Sequence, residues 1–115
     1  MLIHITGLPA TVSQDDDASL RREIEDKVAQ IIGLKTTTIN PIFVETFASR
    51  SDSPRGLFAG VRTVAPEDKA QIMRAQIETA IVEILHEFVK TRYQSIWMIG
   101  VYFENPGIAL SEFEL

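Results

Sequence analysis

The chain has 115 residues, 45% of them hydrophobic, and its eleven basic and sixteen acidic side chains leave a net charge of −5. That length suits a single domain, and that apolar content supplies a core without disulfides or a structural metal. Cysteine is absent, which excludes disulfide frameworks, thiolate zinc sites and cysteine nucleophiles, while the acidic balance argues against a nucleic-acid partner.

The start of the chain lacks the basic-then-apolar pattern of a signal peptide. No apolar run approaches the roughly 20 residues that span a bilayer. The longest, 72–89, is broken by Arg74, Glu78, Glu83, His86 and Glu87. A soluble cytoplasmic protein with no membrane partner is the expectation, and the missing cysteines agree with a reducing compartment.

Residues 2–6 read as a short strand, β-branched at Ile3, Ile5 and Thr6, which Gly7-Leu8-Pro9 should end. Ser13 followed by Asp15, Asp16 and Asp17 is a helix start: a hydroxyl cap, then carboxylates at the positive end of the dipole. Leu20, Ile24, Val28, Ile31 and Ile32 form one apolar stripe, so the spacing predicts a helix over about 16–32, stopped by Gly33. A second strand follows over 39–47, with Pro41 near its start, where a missing N–H is tolerated. Residues 48–56 have the composition of an exposed loop.

Residues 57–64 read as a third strand. Pro66, Glu67 and Asp68 should open a second helix. Met73, Ile77, Ile81, Ile84, Leu85 and Phe88 make its stripe, and it should run to about residue 90. A fourth strand spans 96–103, Asn105-Pro106-Gly107 turns the chain, and 108–115 is a tail of weak strand character. The fold class is therefore α+β: one domain over 1–115, built of two β-α-β units at about 1–47 and 57–103. A four-stranded sheet should carry both helices on one face. The other face would then be partly apolar, through Phe43, Trp97, Ile99 and Val101, and such a face in a small domain finds a partner. The same element order also fits a ferredoxin-like module.

Several side chains are candidates for chemistry. His4, between Ile3 and Ile5, is either a pocket acid or base or a strand histidine at an interface. His86, between Glu83 and Glu87, reads as part of a solvated face. The two histidines have no paired-ligand spacing, no serine sits in a nucleophile elbow, and Asp15–Asp17 are explained by capping, so neither a metal nor another cofactor is implied. Residues 55–61 loosely resemble a strand signature of an RNA-recognition module. That module stacks bases on aromatics of both central strands, and here the first strand has none while Leu57 stands where an aromatic belongs. Arg62, flanked by Val61 and Val64 in the third strand, suits carboxylate binding through its planar fork, or else an interface ion pair. Lys35 is by default a solvated lysine. Trp97, Tyr102 and Phe103 read as interface or core, and an oligomer pocket can be both.

Taken together, the order, lengths and strand positions resemble the tautomerase superfamily, which includes 4-oxalocrotonate tautomerase and macrophage migration inhibitory factor. The likeness covers nearly the whole chain, with strands at 1–7, 39–47, 56–64 and 96–103 and helices at 19–33 and up to 89. It is nearest to the bacterial branch of single-chain, two-unit members. The resemblance implies a homotrimer that covers the open sheet face, with pockets at subunit edges. It implies isomerase activity on a small carboxylate-bearing carbonyl compound, with no cofactor. The superfamily's base is an N-terminal proline exposed by methionine removal, whereas residue 2 here is Leu2, which should leave Met1 in place. Counting back from Gly7, Met1 falls where that proline would begin, and a primary α-amine titrates close enough to neutrality to act as a base. Where relatives carry a substrate-binding arginine early in the second strand this chain has Asn40, and after the first strand it has Leu8. Arg62 or Arg50 would have to substitute. The candidate site is thus Met1 and Arg62 as catalytic residues, with Lys35, Asn40 and Tyr102 contacting a small carboxylate.

Overall fold

Alternation decides the first strand. Ile3, Ile5 and Leu8 are buried while Leu2, His4 and Thr6 are not, so one side of the strand faces a core and the other does not. The computed structural model describes residues 1–33, 42–49, 56–63, 72–93 and 97–104. Within them the order is β1 (Leu2–Leu8), α1 (Gln14–Ile32), β2 (Phe43–Ala48), β3 (Gly56–Arg62), α2 (Arg74–Arg92) and β4 (Met98–Glu104). The sheet order is β2-β1-β3-β4. β1 pairs in parallel with β2, β3 in parallel with β4, and β1 runs antiparallel to β3. A 19-residue helix lies between the members of each parallel pair, long enough for the crossover that parallel neighbours require. The ferredoxin-like alternative, with its antiparallel sheet, is overturned by these pairings.

Both helices pack on one face. Leu20, Ile24, Val28 and Ile32 of α1 and Ile77, Ile81, Leu85, Phe88 and Val89 of α2 join Ile3, Ile5, Val44, Leu57, Ala59 and Val61 in a single core. Ser13 caps α1 as its sequence implies: its Oγ accepts from the Asp16 N–H at 3.1 Å. Gly33 ends the helix in the left-handed conformation at φ 75°. Ser13→Ala is expected to lower stability by about 1 kcal/mol, read from a denaturant midpoint; no change would show that the hydroxyl is not the cap.

Several boundaries differ from expectation. β1 does not stop at Gly7 but continues to Leu8, because Gly7 takes φ 96° and the register with β2 shifts there, a bulge rather than an end. α1 begins two residues early, directly after its cap. α2 is described from Arg74, with neither a side-chain cap nor an acid in its first turn; the expected opening at Pro66, Glu67 and Asp68 lies outside the described residues and is not one of these differences.

The expected composition of the uncovered face also needs correction. Phe43 is on it, 63% exposed, but Trp97, Ile99 and Val101 pack against the core. β4 is apolar at both alternations, so its own pattern cannot set its phase. The register with β3 does: Leu57, Ala59 and Val61 are buried, and Ile99, Val101 and Phe103 stand beside them. The uncovered face instead carries Met98, Gly100, Tyr102 and Glu104.

Candidate functional site

The strand registers sort the uncovered face into rows. At the end where β1 begins, Phe43, Leu2, Arg62 and Glu104 stand side by side. The next row is Glu45, His4, Gly60 and Tyr102, and the third is Phe47, Thr6, Phe58 and Gly100. Gly56 and Met98 complete the far end. Charge and polarity collect in the first two rows, while Phe47, Phe58 and Met98 make the far end apolar.

One carboxylate organises the polar end. Glu104 Oε2 accepts from Arg62 Nε at 2.8 Å, and Glu104 Oε1 lies 2.9 Å from His4 Nε2. The Tyr102 hydroxyl is 3.3 Å from the same His4 nitrogen. His4 and Glu104 are largely covered, whereas the Arg62 side chain is 55% exposed. A guanidinium has five N–H donors, so a bond through Nε leaves Arg62 with capacity for a further anion.

The gap over β3 explains how β1 and β4 side chains meet. Gly60 stands between His4 and Tyr102 in their row, and a Cβ there would fall on His4 Nε2 and within 2.8 Å of the Tyr102 ring. Without that side chain, the two rings tilt toward each other at 6.3 Å between centroids. Gly56 and Gly100 act similarly for Phe58, whose ring lies where their Cβ atoms would be.

Of the sequence-predicted site residues, Arg62 and Tyr102 are brought together. Met1 is half-buried against the core at the same end of the sheet, and its carbonyl accepts from the Phe43 N–H at 2.9 Å. Lys35 and Asn40, like Arg50, lie outside the described residues. His86 is exposed on α2, as read from sequence. Glu104 was not foreseen, because the last strand was expected to stop one residue earlier. Gly60 gave no signal of its own: its role appears only when its two flanking strands are known.

Elsewhere the charged groups hold the fold together. Asp17 Oδ1 accepts from Thr46 Oγ1 at 2.5 Å. Arg92 Nε meets Asp16 Oδ2 at 3.3 Å, tying the end of α2 to the start of α1. The neighbouring Tyr93 hydroxyl is pushed above its ordinary value by burial and by the Asp16 carboxylate, against the opposing pull of Arg92. Two clefts, of about 460 Å³ between the helices and about 210 Å³ beside the start of α1, are lined by other residues than the polar cluster. Among the described residues no group of three or more side chains could hold a metal ion, and no helix is long and apolar enough to cross a membrane.

No protein-family model matches the sequence, and no curated protein matches it. Solved structures do. Macrophage migration inhibitory factor from Toxoplasma gondii is 15% identical with a TM-score of 0.64, covering 91% of this chain and 89% of that one. A macrophage migration inhibitory factor-like protein from Entamoeba histolytica is 12% identical with a TM-score of 0.65, over 89% and 84%. A fused 4-OT solved as an asymmetric trimer is 13% identical with a TM-score of 0.61, over 91% and 85%. At these identities the likeness is one of fold: the chain has the tautomerase-superfamily fold over nearly its whole length.

Proposed function

We propose that this chain is a divergent tautomerase-fold protein that assembles through its uncovered sheet face and takes a small carboxylate-bearing carbonyl compound at the polar end of that face. The observation that carries this reading is the division of the face. Its far end offers Phe47 at 49% and Met98 at 68% exposure, apolar area that a second copy would remove from water. Its near end holds Arg62 beside Glu104, His4 and Tyr102, a polar mouth at the rim of such an interface. The trimeric 4-OT structures that share the fold support three copies, and the lack of cysteine agrees with a cytoplasmic setting.

In this reading Arg62 anchors the carboxylate through its terminal N–H donors, and Tyr102 flanks it. Lys35 and Asn40 are carried as further contacts. A keto–enol isomerisation also needs a base. The α-amine of Met1 is the one the family resemblance points to, and Met1 stands at the right end of the sheet. The test is turnover of phenylpyruvate between its keto and enol forms. Wild type is expected to catalyse it, and Arg62→Ala to raise KM at least tenfold. An inactive wild type, or an Arg62→Ala variant with unchanged KM, would overturn the assignment.

Assembly is tested separately by light scattering. Wild type is expected at three times the 12.9 kDa of the chain. Met98→Glu, which places a charge in the apolar end without touching the core, is expected to return the single-chain mass. A wild-type monomer would remove the reason to look for a subunit-edge site. A second reading, binding without catalysis, is favoured by the Arg62–Glu104 contact, since the arginine is already partly neutralised. Stabilisation by phenylpyruvate in a thermal shift without turnover would select it.

A further inference from the structure

We infer that His4, held by Glu104 across the gap over Gly60, is the proton-transfer group of this site. The inference rests on the carboxylate-binding reading above and gives its proton transfer to His4 in place of the Met1 α-amine.

An ionised carboxylate only accepts hydrogen bonds. His4 Nε2 lies 2.9 Å from Glu104 Oε1, so that nitrogen must carry a proton. The Tyr102 hydroxyl, 3.3 Å from the same atom, is a second, longer acceptor. A neutral His4 is therefore fixed in one tautomer, with its lone pair on Nδ1. A carboxylate that orients an imidazole through one nitrogen leaves the other as a base. Glu104 is itself oriented by Arg62, through its other oxygen at 2.8 Å. Anchor and base thus share one carboxylate. A substrate carboxylate drawn to Arg62 is thereby placed one row of the sheet from His4.

Among the described residues, the groups facing His4 on this side are few. Glu45 stands beside it on β2, Tyr102 lies across Gly60, and Arg62 and Glu104 fill the neighbouring row. On the other side of the sheet Ile3 and Ile5 are fully buried.

The step balances within the site. Nδ1 of His4 takes the proton from the carbon next to the carbonyl of a 2-oxo acid. The C–H bond breaks, its electron pair becomes the C=C bond, and the carbonyl π pair moves to oxygen. The imidazolium then returns its proton to that oxygen, giving the enol and restoring neutral His4. No oxidant or second substrate enters.

The experiment uses the full chain labelled with 15N-histidine, with phenylpyruvate as the probe. Five results are expected. In wild type the 15N shifts of His4 show Nε2 protonated and Nδ1 bare, and Glu104→Gln weakens that preference. Phenylpyruvate shifts the His4 resonances saturably and leaves those of exposed His86 in place. His4→Gln, which keeps a donor for Glu104, lowers kcat by about 100-fold or more with KM within twofold. Arg62→Ala mainly raises KM. Turnover that survives His4→Gln, or a wild-type His4 protonated on Nδ1 instead, overturns the inference while leaving the carboxylate site standing. If N-terminal acetylation abolishes turnover and His4→Gln does not, Met1 is the base. A wild type that neither binds nor converts phenylpyruvate overturns the site and this inference together.

Discussion

Gly7→Ala is expected to destabilise the domain by about 2–6 kcal/mol, from a positive-φ penalty and an overpacking penalty of about 1–3 kcal/mol each. Gly7 sits at φ 96°, where an L side chain is strained. The added Cβ would also fall on the backbone carbonyl oxygen of Gly56, at the start of the neighbouring strand. A backbone atom cannot swing aside as a flexible side chain can, so β1 and β3 would have to part at that end. Against a total stability of about 5–15 kcal/mol for a domain of this kind, the loss approaches the whole at its upper end. Urea titration checks it, with the midpoint falling at nearly constant m. Gly7→Asn separates the two causes, because asparagine tolerates positive φ better but keeps the Cβ. A variant with Asn close to Ala assigns the cost to the contact, and a near-wild-type Asn assigns it to φ. Wild-type stability in both would mean that the bulge is absent.

Ile5→Ala is the second large effect, about 2–5 kcal/mol. Ile5 is fully buried on β1, paired with Thr46 on one side and Ala59 on the other. Its side chain belongs to the single core that both helices share. Truncation removes apolar contact and leaves a cavity that the central strands cannot close without dragging the sheet. It also replaces a β-branched residue in mid-strand by a poorer strand former. The ends of the sheet are untouched, so a domain that still folds should keep the wild-type mass in solution while its unfolding midpoint drops. A cost below about 1 kcal/mol would show that β1 is not central.

Much of this architecture could be read from the chain. The helix stripes are strict, so Leu20, Ile24 and Val28, and likewise Ile77, Ile81 and Leu85, were legible as buried faces. Ser13 and Gly33 mark the ends of α1 because a cap hydroxyl and a left-handed glycine are local requirements. β4 was legible as a strand but not in phase, since apolar residues occupy both of its alternations and only the pairing with Leu57, Ala59 and Val61 chooses between them. The site was legible in part for a similar reason. Arg62 stands out as an arginine among valines, and Tyr102 as an aromatic with a polar tip. Glu104 is one acid among sixteen, and nothing local says that it faces two strands away to His4. Gly60 acts by what it lacks, which only its neighbours reveal.

The antiparallel register has a further consequence. His4 pairs with Gly60, and pairs on either side match Leu2 with Arg62 and Thr6 with Phe58. The two β-α-β units are thus related by an approximate two-fold rotation whose axis passes through that pair. Rotation carries the end where β1 begins onto the end where β3 begins, so a perfect repeat would present the same chemistry twice. Here it does not: Arg62 and Glu104 occupy one end, and the rotated places hold Thr6 and Phe47. Among the described residues, that charged pair therefore stands at one end of the face and has no counterpart at the rotated position. The opposite end carries Phe47, Phe58 and Met98 in its place.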